Sequence, residues 1–200
     1  MSNGDVILGD ADIRPALLSI LFGKHADEAD TVIIEELGVC RGHVRVDVAV
    51  VNGIIHGYEI KSDRDSLRRL EGQVDLYSKV LDRATLVASA RHLDEAMGLL
   101  PPWWGVQRVE PGARGTPRFK VVRRERKNQS RDVRALVEFL WLDDALALLE
   151  EHGAARGVRG KPRWAVWDRV CEVLDIDVIS RAVRATLKAT SERRGTPRSG

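Results

Sequence analysis

The sequence predicts an α/β fold: a mixed central sheet flanked by helices, followed by a C-terminal helical extension. Three observations lead there. Short β-branched runs, at residues 31–39, 44–61, 85–89 and 103–109, alternate with stretches of helical periodicity. Asn52-Gly53 divides the second run into two strands, because this dipeptide tolerates the positive φ angles of a tight hairpin. From Val133 onward only the helical period continues.

Taken in order, Asp10 or Asp12 caps a first helix whose apolar positions Ile13, Leu17, Ile20 and Leu21 recur at helical spacing, ending near Gly23. The strand TVIIEELGV follows and delivers Glu35 and Glu36 at its end. In the hairpin Val44, Val46, Val48 and Val50 share one face, so Asp47 points to the other. Glu59 and Lys61 lie two apart on the second strand and share a face. A two-residue loop would set Asp47 opposite Tyr58 and send Glu59 to the opposite side. Cooperation between the two acids therefore requires a loop of residues 52–54, or a bulge that resets the register. The following helix is capped by Asp65 or Ser66 and buries Leu67, Leu70, Val74, Tyr77 and Leu81, with Gln73 and Tyr77 one turn apart. The strand TLVAS, a helix near residues 93–100 stopped by Pro101-Pro102, and the strand WWGVQRV complete a core over residues 1–109. Residues 110–131, rich in Gly, Pro and Arg, read as a linker. Residues 132–190 form a helical region in which helices 133–149 and 164–174 flank the basic loop RGVRGKPR, similar to SAP-like and other small DNA-binding helical units. A flexible tail, residues 191–200, ends the chain.

Two hundred residues with 44% hydrophobic content suffice for a core. No apolar run approaches the roughly 20 residues of a membrane span, and MSNGDVILGD lacks the basic and apolar regions of a signal peptide. The expected location is cytoplasmic, with no membrane partner. Cys40 and Cys171 show no CxxC pairing and the five histidines no zinc spacing, so free thiols are expected. The net charge of +2 hides an asymmetry: residues 1–100 carry 11 Lys+Arg against 17 Asp+Glu, and residues 101–200 carry 21 against 13. That balance suits an acidic half that holds divalent metal beside a basic half that attracts polyanion, although solvated arginine-rich helices would produce it equally.

Ionisable residues inside an apolar hairpin need a reason, since an unpaired buried carboxylate is costly. Asp47, Glu59 and Lys61 read either as a cation site or as an ion pair on a sheet edge. Together with Gln73 and Tyr77 on the next helix, they resemble the PD-(D/E)XK nuclease superfamily, and the QxxxY spacing its RecB-type branch. The stretch from Val32 to Gly105, with GYEIKSDRDSLRRL and WWGV, also resembles a bacterial family of uncharacterised proteins assigned to that superfamily, a resemblance extending through RGKPR. Val46 stands where the nominal motif has proline. The resemblance implies a restriction-endonuclease-like fold and a Mg2+-dependent deoxyribonuclease, with Mn2+ as a substitute and DNA as partner, in repair or defence. It implies that Asp47 and Glu59 hold the metal, with Glu36, ahead of Glu35, as an additional acidic ligand. Lys61 would orient or activate water, Gln73 would position that water or the lysine, and Tyr77 would support it. The chemistry agrees: hard Mg2+ prefers oxygen ligands and keeps waters. A non-catalytic DNA-binding or regulatory module on the same fold is the alternative; a protein-interaction role for Trp103, Trp104, Trp164 and Trp167 is a third reading.

Overall fold

The computed structural model describes residues 7–193, and within them sequence neighbours become spatial neighbours: six strands lie side by side in chain order. β1 (Val32–Val39), β2 (Val44–Val51) and β3 (Ile55–Lys61) form an antiparallel meander. β4 (Arg83–Ser89) and β5 (Gly105–Pro111) continue parallel to β3, each reached through a helix, α2 (Leu70–Ser78) and α3 (Leu93–Leu99). β6 (Pro117–Arg123) returns antiparallel to β5. The expected mixed sheet flanked by helices is therefore present, and so is the C-terminal extension: α4 (Val133–Val137), α5 (Leu142–Glu151), α6 (Arg163–Val173) and α7 (Ile176–Arg193).

Helix α1 (Asp10–Lys24) covers one face of the sheet with Ile13, Leu17 and Leu21, packed on Ile33, Val48, Val50, Tyr58 and Ile60. Asp12, through a bond from the Gly9 N–H at 2.9 Å, supports its start, whereas Ile20 stays 51% exposed outside the buried stripe. The other face carries α2, α3 and the C-terminal helices around Leu70, Val74, Tyr77, Trp104, Leu136 and Trp167. All five residues expected in the α2 stripe are buried. The helix itself starts later than its capping signal suggests, because the Asp65 carboxylate turns back to accept from the Ser62 N–H and hydroxyl.

The hairpin register is the reset one. Val51 faces Ile55, so the loop holds three residues, and the Asn52 side chain accepts from the Ile54 N–H. Carrying the Val48–Tyr58 pairing one residue further sets Asp47 beside Glu59. The row of valines does not stay on one face, however. Val46 belongs to the α2-side core and Val48 to the α1-side core; on β1, likewise, Ile34 and Leu37 pack on the same side although three apart. Both strands slip one step in their alternation at Glu36 and Asp47, and Glu36 takes φ 53. Since both slip together, the pairing stays in register, Glu35 with Val48 and Leu37 with Val46.

The supposed linker contains β6. An edge strand meets solvent, so Arg118, Lys120 and Arg123 sit there at little cost, and its Arg-rich composition conceals it. Its continuation is tied down. The Asn128 amide donates to the carbonyls of Ser78 and Leu81, and Arg131 pairs with Asp82 at 2.7 Å, both side chains buried. The helix expected over residues 133–149 is broken into α4 and α5, with extended backbone at Trp141. Residues 191–193 of the expected flexible tail close α7; the remainder lies outside the described residues.

Candidate functional site

Glu59 and Lys61 project from β3 toward α2, and both are almost wholly buried. Lys61 Nζ lies 2.5 Å from Glu59 Oε1 and donates to Gln73 Oε1 at 3.1 Å. The Gln73 amide donates in turn to Glu59 Oε1 at 2.7 Å, so one glutamine reads both members of the ion pair. One helical turn on, the Tyr77 hydroxyl contacts Glu59 Oε2 at 2.8 Å and makes a very short bond to the Arg45 carbonyl. A hydroxyl has one proton for these two acceptors; when Glu59 is protonated, its own O–H completes the set.

Asp47 joins this group from β2, where the β2–β3 ladder opens. Ile60 pairs with Val87 of β4 but lies beyond the last β2–β3 pair, Val48 with Tyr58, and its N–H donates to Asp47 Oδ2 at 2.7 Å. Its other oxygen accepts from Arg14 Nη2 at 3.0 Å, and Arg14 Nη1 reaches the Asp47 carbonyl at 2.9 Å. Arg14 also pairs with Asp10 at 3.0 Å and Glu36 at 3.1 Å, thus gathering three carboxylates. Burial works against its charge, but hydrogen bonds and attraction from Asp10 and Asp47 hold its pKa above the ordinary value.

The acids carry the electrostatic signature of a shared site. Burial pushes both carboxyls above the usual range, and for Glu59 the Asp47 charge adds to the rise against the opposing pull of Lys61 and Tyr77. Burial first, and then the Glu59 charge, pushes the Tyr77 phenol up, so it remains protonated.

Asp47, Glu59, Lys61 and Gln73 line one open cleft of about 1410 Å3, whose far wall is built by the α4–α5 corner and α6. The structure brings together all five residues expected of the site core, and Asp47 and Glu59 open to the same space. Glu36 lines the cleft too, but faces Arg14 and Arg45; Glu35 is not among the lining residues. Among the described residues, no group of three or more His, Cys, Asp or Glu side chains is arranged to hold a metal ion. A two-carboxylate donor set still fits Mg2+, which commonly takes one or two carboxylates and completes its shell with water and phosphate. Sequence reasoning missed Arg14: an arginine one turn after Asp10 on an amphipathic helix reads as a solvated i,i+4 pair.

Comparison with known proteins places the chain. Residues 7–194 match the family model described as bacteriophage P4 protein cII. The chain belongs to the bacteriophage P4 protein cII family. One curated member, protein cII of Enterobacteria phage P4, is 28% identical over 147 residues, 74% of this chain and 55% of its own length. The chain thus spans about half the length of that relative. Among solved structures, SPO1766 from Silicibacter pomeroyi aligns over 70% of this chain and 88% of its own, with 22% identity and TM-score 0.39. Pyrococcus furiosus SfsA in complex with Ca2+ aligns over 60% and 67%, with 14% identity and TM-score 0.35. Superpositions this loose carry no argument about the site. Among the described residues no helix is long and apolar enough to cross a membrane.

Proposed function

We propose that the cleft is the active site of a metal-dependent nuclease of PD-(D/E)XK type, acting on DNA phosphodiester bonds. One observation carries the reading: a half-buried acid, Asp47, and a buried acid, Glu59, from neighbouring strands, with a buried lysine that Gln73 links to Glu59, all line one open cleft of about 1410 Å3. Asp47 and Glu59 would hold Mg2+ or Mn2+, which when bound supplies charge neutralisation at the phosphate and a more acidic water. Lys61 places a cation beside the attacked phosphorus and orients the incoming water. Gln73 keeps the lysine and Glu59 in mutual register, and Tyr77 fixes the second oxygen of Glu59. Arg14 anchors the Asp47 backbone and carboxylate together, so it sets the direction in which that carboxylate faces.

Labelled single-stranded, duplex and branched DNA incubated with the protein in Mn2+ or Mg2+ tests this, beside Asp47→Ala and Lys61→Ala. Cleavage by the unaltered protein and its loss in both variants is expected. Cleavage undiminished in both would assign the activity elsewhere.

A second reading, a non-catalytic DNA-binding or regulatory module on the same scaffold, is favoured by a specific feature. Three of the four carboxylate oxygens of Asp47 and Glu59 have a protein donor, the fourth shares the Tyr77 proton with the Arg45 carbonyl, and Arg14 stands against Asp47 as an internal cation. That reading expects salt-sensitive DNA retention, unaltered in Asp47→Ala, with no cleavage in either metal.

A further inference from the structure

Besides the acidic floor, the cleft is lined by side chains that the proposed chemistry leaves unused. Trp141, at the corner between α4 and α5, is 56% exposed, lines the cleft and, among the described residues, stacks on no ring or cation. An exposed indole of this size loses roughly 25 cal/mol for every Å2 of apolar surface it leaves in water, so a planar partner is favoured there. Arg41, at the tip of the β1–β2 hairpin, and Arg68 and Arg69, at the entry to α2, line the same cleft, and none of the three meets an acidic partner among the described residues. Glu138 and Asp65 also face it; Asp65 is engaged by Ser62. The floor acids, by contrast, are each set against Arg14 or Lys61.

From this we infer that the cleft binds single-stranded nucleic acid, with one base stacked on Trp141 and the flanking phosphates drawn along Arg41, Arg68 and Arg69. The inference deepens the reading of the floor as a phosphodiester site and rests on it for the polarity of the groove. A duplex keeps its bases stacked on one another and offers the indole only their edges; a single strand frees a π-face for it. Two chemistries, a flat apolar platform and unpaired guanidinium groups, thus select an unpaired strand in one groove. The hairpin tip is suited to carry such a contact: Cys40, Arg41 and Gly42 all take positive φ, at 49, 60 and 82, which holds the Arg41 side chain on a turn that non-glycine residues seldom adopt.

The test uses fluorescence anisotropy with end-labelled oligo-dT, oligo-U and a mixed-sequence duplex, in EDTA, so that binding is read without cleavage. Expected are tighter binding of a single strand than of the duplex, a loss of at least about fivefold in Trp141→Ala, and retention in Trp141→Phe. The pair Arg68→Ala/Arg69→Ala weakens binding and flattens its dependence on salt by one to two phosphate contacts. Trp164→Ala, an equally exposed tryptophan that does not line the cleft, leaves affinity unchanged. Whichever of oligo-dT and oligo-U binds more tightly identifies the strand as DNA or RNA, and either result agrees with the inference. Equal affinity for duplex, no binding of either single strand, or Trp141→Ala binding like the unaltered protein, would overturn it. Loss of cleavage with single-strand binding intact would instead count against the metal chemistry at the floor.

Discussion

Replacing Lys61 by methionine removes the buried cation while filling nearly the same volume. Glu59, 2% exposed, then keeps Gln73 and Tyr77 as partners but faces Asp47 with no cation of its own, since Arg14 is paired with Asp47. Breaking one side of a buried ion pair costs about 3–5 kcal/mol, equivalent to a fall in Tm of roughly 6–20 °C for a chain of this length. The cost depends on pH. The Glu59 carboxyl is already raised by burial and by Asp47, and Lys61 is among the groups that oppose the rise. Without the lysine the folded state holds that proton more firmly still. A carboxyl whose pKa is higher folded than unfolded gains stability as pH falls from the folded value toward the ordinary one, by up to about 1.4 kcal/mol per pH unit. Urea denaturation of Lys61→Met should therefore show its full deficit at pH 8 and a smaller one at pH 5. The double variant Glu59→Gln/Lys61→Met, which leaves no lone charge, should be more stable than Lys61→Met at pH 8. An equal deficit at both pH values, or a double variant no better than the single, would refute the assignment of Lys61 as the counter-charge of a buried carboxylate.

Other consequences follow from the same geometry. Gln73→Leu, which removes the link between Lys61 and Glu59, should lower Mn2+-dependent cleavage by about 10–100-fold while leaving the far-UV circular dichroism unchanged; full activity would show that the link is dispensable. Burial, reinforced by the charges of Lys24, Arg83 and His25, holds the His56 pKa down to about 3, so the folded protein resists a proton that the unfolded chain takes up below about pH 6.5. Stability present above that pH is lost as pH falls, by about 2 kcal/mol between pH 6.5 and 5, and His56→Gln should flatten the profile in urea melts. A Cβ added at Gly57 would lie 2.5 Å from Leu81 Cδ1 and 3.0 Å from Val46 Cγ1, so Gly57→Ala should cost about 1–3 kcal/mol in the same assay; a change within 0.5 kcal/mol, on the order of a neutral surface substitution, would contradict the close packing of β3 against Leu81, beyond the end of α2, and Val46 of β2.

Much of the site core was legible because its spacing is local. Two acids that must share a side require either a three-residue hairpin loop or a bulge, of which the loop is present, and Gln73 and Tyr77 sit one helical turn apart over that same face. The slip in alternation at Glu36 and Asp47 was not legible, since a row of valines at every second position is compatible with a straight strand. Nor was β6, because an exposed edge strand carries the arginines and lysines that composition assigns to a linker. The partnership of Arg14 with Asp47 and of Arg131 with Asp82 spans 33 and 49 positions respectively, and no periodicity signals contacts at such range. Trp141 was passed over because helical periodicity ran through it, whereas the chain breaks there and turns the indole into the cleft.

The most direct measurement is anomalous X-ray scattering at the manganese edge from crystals of the protein soaked in Mn2+. The proposed function predicts one strong peak within bonding distance, roughly 2.5 Å or less, of an oxygen from both Asp47 and Glu59, absent from crystals of Asp47→Asn. A map with no peak there, and with Arg14 and Lys61 still bound to the two carboxylates, would contradict it.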